Sequence, residues 1–292
     1  MNAFTIKDLE NLSGIKAHTI RIWEQRYNFL KPQRTTTNIR YYSNDELKAV
    51  LNIALLNKYG FKISHIDRMN HQEIQQKILS LSDPKAMQER IINELVQEMV
   101  DMNIDRFEKV LNNCIAAKGI ERTVTQIIFT FLEKIGILWL TGHINPAQEH
   151  LVTNIIRQKL IVAIEGTVTH LSLNKSFLLF LPEGEHHELG LLYMYYLLKS
   201  RGAQTIYLGA NVPIKDVEYV INHKKPDIVF VHLTATAANF NFERFLNNVQ
   251  QRFGNVKTVI SGRLTQLYKK KVPANVEFKK SLVEFLDFLS VL

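Results

Sequence analysis

The chain has 292 residues, 46% hydrophobic and 22% charged, a globular balance that excludes a disordered or fibrous protein and leaves room for two or three domains. Lys and Arg outnumber Asp and Glu by 36 to 28, a formal charge of +8 that raises the question of an anionic partner. The single cysteine, Cys114, sits among apolar residues and excludes a disulfide framework or a cysteine-rich zinc site. The opening residues run directly into Lys7, Asp8 and Glu10, unlike a secretory signal, and no apolar run reaches the roughly 18 residues of a membrane span, so a soluble, cytoplasmic protein is expected.

The charge is concentrated at the start. Up to Asn70 eleven bases face six acids, and between Lys16 and Arg40 six bases face Glu24 alone; the rest of the chain holds 25 bases and 22 acids. Thr5 caps an expected helix over 6–12, and Gly14 supplies the turn that closes it. A second helix, about 17–27, places Ile20, Trp23 and Tyr27 on an apolar side and His18, Thr19, Arg21, Gln25 and Arg26 on a polar one. Two short helices across a glycine turn are a helix-turn-helix, whose second helix enters a major groove. Lys31-Pro32 stops that helix, and 34–42 reads as a small hairpin, or wing, ending in Arg40-Tyr41-Tyr42. Ser43 and Glu46 form a capping box for the next helix.

Three runs, Thr19 to Tyr27, Leu30 to Arg34 and Arg40 to Ser43, closely resemble the MerR family of winged-helix transcription regulators over about residues 4–70. The resemblance implies a DNA-binding domain over 1–75, with double-stranded operator DNA as its partner. His18, Thr19, Arg21 and Arg26 are the candidate contacts from the helix, and Arg34, Arg40 and Tyr41 those from the wing. Phosphate contacts from the bases would give affinity and salt sensitivity, while base-edge contacts would give specificity.

The next segment, 80–172, reads as a four-helix bundle. Asp83-Pro84 starts a helix with the stripe Ile91, Leu95, Met99 and Met102; a second runs from about Asn103 to Gly119; a third runs from Ile120 to about Leu140 and ends at Thr141-Gly142. A fourth opens on Asn145-Pro146 with Gln148 completing a capping box. Trp139 at the end of the third helix and Glu149-His150 at the start of the fourth then belong to one end of the bundle, where they could cover a ligand.

From 175 to 292 strands and helices alternate: strands near 177–181, 205–208, 227–231, 257–260 and 276–278, with helices between them and a last helix over 282–291. This order implies a Rossmann-like α/β domain with a parallel sheet, which binds ligands beyond the carboxyl ends of its strands. Glu185-x-His187-x-x-Gly190 follows the first strand, so that a loop histidine could present one ring nitrogen to a metal while a carboxylate holds the other. Gly190 would let a bulky group approach the backbone.

The spacing resembles the cobalamin-binding fold, whose pattern is Asp-x-His-x-x-Gly, 41 residues, Ser-x-Leu, 26 to 28 residues, Gly-Gly. Here residues 191–231 supply the 41 and residues 235–260 supply 26, which brings His232-Leu233-Thr234 and Ser261-Gly262 to the second and third motifs. Glu185 stands for Asp, His232 for Ser, Thr234 for Leu and Ser261 for the first Gly. Trp139, nine residues, then Glu149-His150 is similar to the signature of the helical cap in light-responsive regulators of the CarH/LitR group, which combine a MerR domain, such a cap and a cobalamin fold in this order.

The resemblance implies a repressor, not an enzyme, that holds adenosylcobalamin between cap and Rossmann domain. His187 would be the cobalt ligand, Trp139, Glu149 and His150 would lie at the adenosyl group, and Glu185, Gly190, His232, Thr234, Ser261 and Gly262 would complete the cofactor site. It also implies a homo-oligomer, dimer or tetramer, that light takes apart. Where that group has a histidine directly after the Trp, this chain has Leu140, and His143 is the nearest imidazole to replace it. The alternative is a MerR-type repressor with a degenerate, cobalamin-independent sensor acting through protein contacts.

Overall fold

Helix α1 (Ile6–Ser13) begins on a reciprocal capping box: the Thr5 hydroxyl accepts from the Asp8 amide while the Asp8 carboxylate accepts from the Thr5 amide. It ends at Gly14, φ 75°, the left-handed conformation that turns the chain toward α2 (Ala17–Arg26). This computed structural model describes residues 3–140, 142–234 and 240–292. In α2 the apolar spacing is realised at Ile20 and Trp23, which are buried, and His18, Arg21, Gln25 and Arg26 are exposed; Tyr27, expected on the same side, lies past the helix end in extended backbone and is half-buried. Strands β1 (Gln33–Arg34) and β2 (Arg40–Tyr41) pair antiparallel as the expected wing, and α3 (Asn44–Lys58) opens on the Ser43–Glu46 box.

Two helices had no expectation behind them, α4 (Ile63–Ile66) and α5 (His71–Leu79). The second is capped by Asn70 with Glu73, yet it buries only Ile78 and so carries no apolar stripe for a sequence to display.

Helices α6 (Pro84–Val100) and α7 (Ile104–Lys118) follow, the first capped by the Asp83 side chain with Pro84 in its first turn. The expected stripe on α6 holds at Leu95 and Met99 but not at Met102, which lies past the helix end at φ 55° and is half exposed. Ile92, Val96 and Val100 complete that face instead. The expected third helix is in three pieces: α8 (Ile120–Thr123), a π-helical turn (Val124–Ile128) and α9 (Phe129–Leu140). Around the turn the Thr123 and Thr125 hydroxyls donate back to the Gly119 and Glu121 carbonyls, competing with the regular ladder. Thr141, where that helix was expected to end, lies outside the described residues. Helix α10 (Pro146–Glu165) starts as the Asn145–Gln148 pattern predicts: Asn145 Oδ1 accepts from the Ala147 amide and Gln148 Oε1 from the Asn145 amide.

The chain divides into two compact units, residues 1–156 and 157–292. Polar bonds between helices knit the first. Gln148 Nε2 donates to the Val100 carbonyl at 2.9 Å, and Lys134 Nζ donates to the Leu12 carbonyl at 3.0 Å and to Asn93 Oδ1 at 3.1 Å. The Leu12 carbonyl is one of the last in α1, where a cation also complements the helix dipole.

The second unit contains β3 (Leu173–Pro182), α11 (Leu189–Ser200), β4 (Ala203–Val212), α12 (Ile214–Lys224), β5 (Ile228–His232), α13 (Phe242–Arg252), β6 (Lys257–Ser261), α14 (Arg263–Leu267), β7 (Val276–Lys279) and α15 (Leu282–Ser290). The sheet is parallel throughout, in the order β4-β3-β5-β6-β7. Phe177 to Leu181 are fully buried, as a central strand covered on both faces requires. Leu178, Phe180, Val229 and Val231 pack with Val217, Ile221, Phe245, Leu246 and Val249 from α12 and α13. The connection from β3 leads outward to β4 and the next returns past β3 to β5, so the order reverses between β3 and β5, the switch point beyond whose carboxyl ends such sheets bind ligands.

Candidate functional site

The first unit displays a polar helix face and a wing. Arg21 and Arg26 are exposed on α2, and His18 Nε2 lies 3.4 Å from the half-buried Thr19 hydroxyl. On the wing, Arg34 Nη1 donates to Asn38 Oδ1 at 2.7 Å, and the Tyr41 hydroxyl donates to Gln33 Oε1. Arg40 is arranged differently. Its Nε donates to both carboxylate oxygens of Glu24, at 3.0 and 2.9 Å, with both side chains largely covered. The one acid of the basic run therefore ties the wing to α2, a role the sequence announced only by the oddity of an acid in that place.

In the helical segment Trp139 is 54% exposed on the last turn of α9. Glu149 Oε2 lies 3.2 Å from His150 Nδ1, and the Thr153 hydroxyl donates to the Glu149 carbonyl at 2.6 Å. His143 Nδ1 is 3.0 Å from Oδ2 of the fully buried Asp8.

The second unit assembles its candidate residues at the carboxyl edge of β3, β5 and β6. Glu185 is fully buried, and its Oε1 accepts from both the His187 amide (2.8 Å) and His187 Nδ1 (2.6 Å). The His187 side chain is 60% exposed. A carboxylate accepting from Nδ1 places a proton there and orients the ring, and in the neutral form this leaves the lone pair on Nε2, which is what a metal-ligating histidine needs. The loop is also stitched to β4: the Asn211 amide donates to the Glu185 carbonyl at 3.2 Å, and Asn211 Oδ1 accepts from the Gly184 amide at 2.9 Å.

At the ends of β5 and β6, His232 Nδ1 and the Ser261 hydroxyl lie 2.8 Å apart on register-paired residues. Burial pulls the His232 imidazole down to a pKa of about 4, with the Glu185 charge opposing. A Cβ on Gly190 would lie 2.3 Å from His232 Cδ2, so the bulky group that Gly190 admits is this chain's own imidazole. Thr234 is exposed, and Gly262, φ 99°, leaves no room for a Cβ against the Leu233 carbonyl.

The donor set is a single exposed imidazole backed by a buried carboxylate, which would offer one nitrogen ligand to a metal whose remaining ligands come from elsewhere. Among the described residues no helix is long and apolar enough to cross a membrane.

Residues 4–73 match the MerR HTH regulatory protein family, and residues 91–163 and 176–277 each match a B12 binding domain. Over 259 residues the chain is 26% identical to the HTH-type transcriptional repressor CarA of Myxococcus xanthus, covering 88% of this chain and 85% of that one. It is 25% identical to the repressor CarH of the same organism over 254 residues, 85% of this chain and 84% of the other. Among solved structures, the monomethylamine corrinoid protein of Methanosarcina barkeri aligns with a TM-score of 0.51 at 15% identity, over 69% of this chain and 98% of that one, a likeness of fold. The chain thus joins a MerR-type DNA-binding domain to B12 binding domains and is homologous to the CarA and CarH transcriptional repressors.

Proposed function

We propose that this protein is a cytoplasmic transcription repressor that binds double-stranded operator DNA and senses light through adenosylcobalamin, with His187 as the cobalt ligand. The observation that carries this reading is the exposed His187 imidazole held on Nδ1 by buried Glu185, in a chain that also carries a MerR-type winged domain. The cofactor, when bound, supplies a light-labile cobalt–carbon bond. The chain's part is to hold and orient it: His187 and Glu185 at the metal, Trp139, Glu149 and His150 assigned to the adenosyl group, and Gly190, His232, Thr234, Ser261 and Gly262 assigned to the rest of the cofactor. His18, Thr19, Arg21 and Arg26 are assigned to the groove, Arg34 and Tyr41 to backbone contacts. Arg40 contributes to the wing through Glu24 as well as by its charge. The regulator acts as a homo-oligomer, dimer or tetramer, and not as an enzyme.

Purified protein mixed with adenosylcobalamin in the dark and passed through gel filtration is expected to be red, to change its absorbance under green light, and to release DNA. Protein that emerges colourless overturns the reading. One feature favours the alternative of a cobalamin-independent sensor acting through protein contacts: His232 and Ser261, the departures from the motif, satisfy each other. DNA binding indifferent to cofactor and to His187→Ala would select that alternative.

A further inference from the structure

Glu188 follows His187 and stands at the start of α11, where an acidic side chain ordinarily caps its own helix. It makes no such bond. Its carboxylate instead turns to β4, where Oε1 accepts from the Tyr207 hydroxyl at 2.8 Å, and its other oxygen lies 3.7 Å from Arg157 Nε on α10. The strand is shaped for this contact. The β3–β4 register slips between Leu179–Tyr207 and Phe180–Gly209, leaving Leu208 as an extra residue, and Gly209 adopts φ 80°. A Cβ on Gly209 would lie 3.3 Å from Glu188 Oε1, tighter than an ordinary contact. Tyr207 is held in turn by stacking on Tyr195, with ring centroids 4.9 Å apart. Burial and the Glu188 charge both raise the Tyr207 pKa, so the phenol remains a donor.

We infer that Glu188, clamped by Tyr207 and Arg157, is a positioning residue for His187: it anchors the far side of the ligand loop, as Glu185 anchors the near side. The two anchors differ in kind. Glu185 orients the ring, whereas Glu188 fixes the backbone from which the ring is presented, and it does so from β4, the strand whose Asn211 already holds Gly184 and Glu185. A capping or surface role would leave Glu188 on its own helix or in solvent. Its 18% side-chain exposure and its two partners from other elements oppose both.

The inference rests on the reading of His187 as a cobalt ligand, and the test separates the two. Wild-type chain, Tyr207→Phe and Glu188→Gln are each titrated with aquacobalamin, and replacement of water by histidine on cobalt is read from the absorption spectrum. Backbone hydrogen exchange over residues 186–190 is measured without any corrinoid. Tyr207→Phe is expected to weaken histidine-ligated uptake about ten-fold and to speed exchange in that loop. Glu188→Gln, which keeps an acceptor for the phenol but loses the charge facing Arg157, should fall between Tyr207→Phe and wild type. Wild-type uptake with unchanged spectrum and exchange in Tyr207→Phe overturns this inference alone. A wild-type chain that takes up no aquacobalamin overturns the cobalt reading, and the inference with it.

Discussion

His143 Nδ1 lies 3.0 Å from Asp8 Oδ2, joining the segment just after Trp139 to the first helix of the winged domain. The contact is within ion-pair distance but does not have the geometry of a hydrogen bond. Asp8 is fully buried, and its Oδ2 also accepts from the Thr5 amide (2.7 Å) and hydroxyl (2.6 Å). Lys134, on α9, holds the other end of α1 through the Leu12 carbonyl. Helix α1, which precedes α2, is thus held at both ends by residues of the helical segment. Asp8→Ala removes the capping box and the His143 partner together and should cost about 2 kcal/mol. His143→Ala leaves the box intact and should cost less than about 1 kcal/mol. Urea unfolding of the full chain measures both; equal losses would show that the cap contributes nothing.

Two arginines assigned to the same DNA surface should behave differently. Arg21 is exposed, so Arg21→Ala should leave the unfolding midpoint unchanged, weaken operator binding and lower the salt slope by about 1 if it contacts a phosphate. Arg40→Ala strands the partly covered Glu24 carboxylate and should also destabilise the wing, by about 1–2 kcal/mol. Binding isotherms at two salt concentrations, set beside thermal melts, distinguish them. A destabilised Arg21→Ala would contradict the free exposure of Arg21, and a fully stable Arg40→Ala would contradict the Glu24 contact.

The two tryptophans form a similar contrast. Trp23 is 5% exposed and meets Phe29 edge-on with centroids 5.9 Å apart, so Trp23→Ala should cost about 3–5 kcal/mol. Trp139 is half exposed, and Trp139→Ala should cost under about 1 kcal/mol in cofactor-free protein while reducing retention of adenosylcobalamin. Chemical denaturation and gel filtration with the cofactor read the two effects separately.

His232 gives a pH dependence with a definite sign. Its folded pKa of about 4 lies below the ordinary 6.5, so between those values the unfolded chain binds a proton that the folded chain does not. Its contribution is therefore intact above about pH 6.5 and is lost as pH falls toward 4, by up to about 3 kcal/mol. His232→Asn, which can still meet Ser261, should flatten that loss when urea midpoints at pH 7 and pH 4.5 are compared. Equal pH dependence in both proteins would refute the assignment.

Much of the architecture was legible because it is local. Thr5, Ser43, Asp83 and Asn145 mark helix starts through bonds to residues two or three positions away, and apolar runs bounded by turns marked the strands of the parallel sheet. The Glu185–His187 pair is equally local, so its motif could be read from adjacent letters. The errors lie where that locality ends: α5 buries one side chain, Met102 follows a helix that had already stopped, and a π turn leaves no mark on apolar spacing.

The order of the three segments, the winged domain, the parallel sheet and the Glu185–His187 loop could all be read from the letters alone, since capping, periodicity and spacing act within a few residues. What the remaining polar groups do follows from the folded arrangement. Glu24 meets Arg40, Glu188 meets Tyr207 and His232 meets Ser261 across 16, 19 and 29 residues. A largely covered charge or polar group takes its partner from whatever the fold brings beside it, and leaving it unpaired costs more than the pair gains.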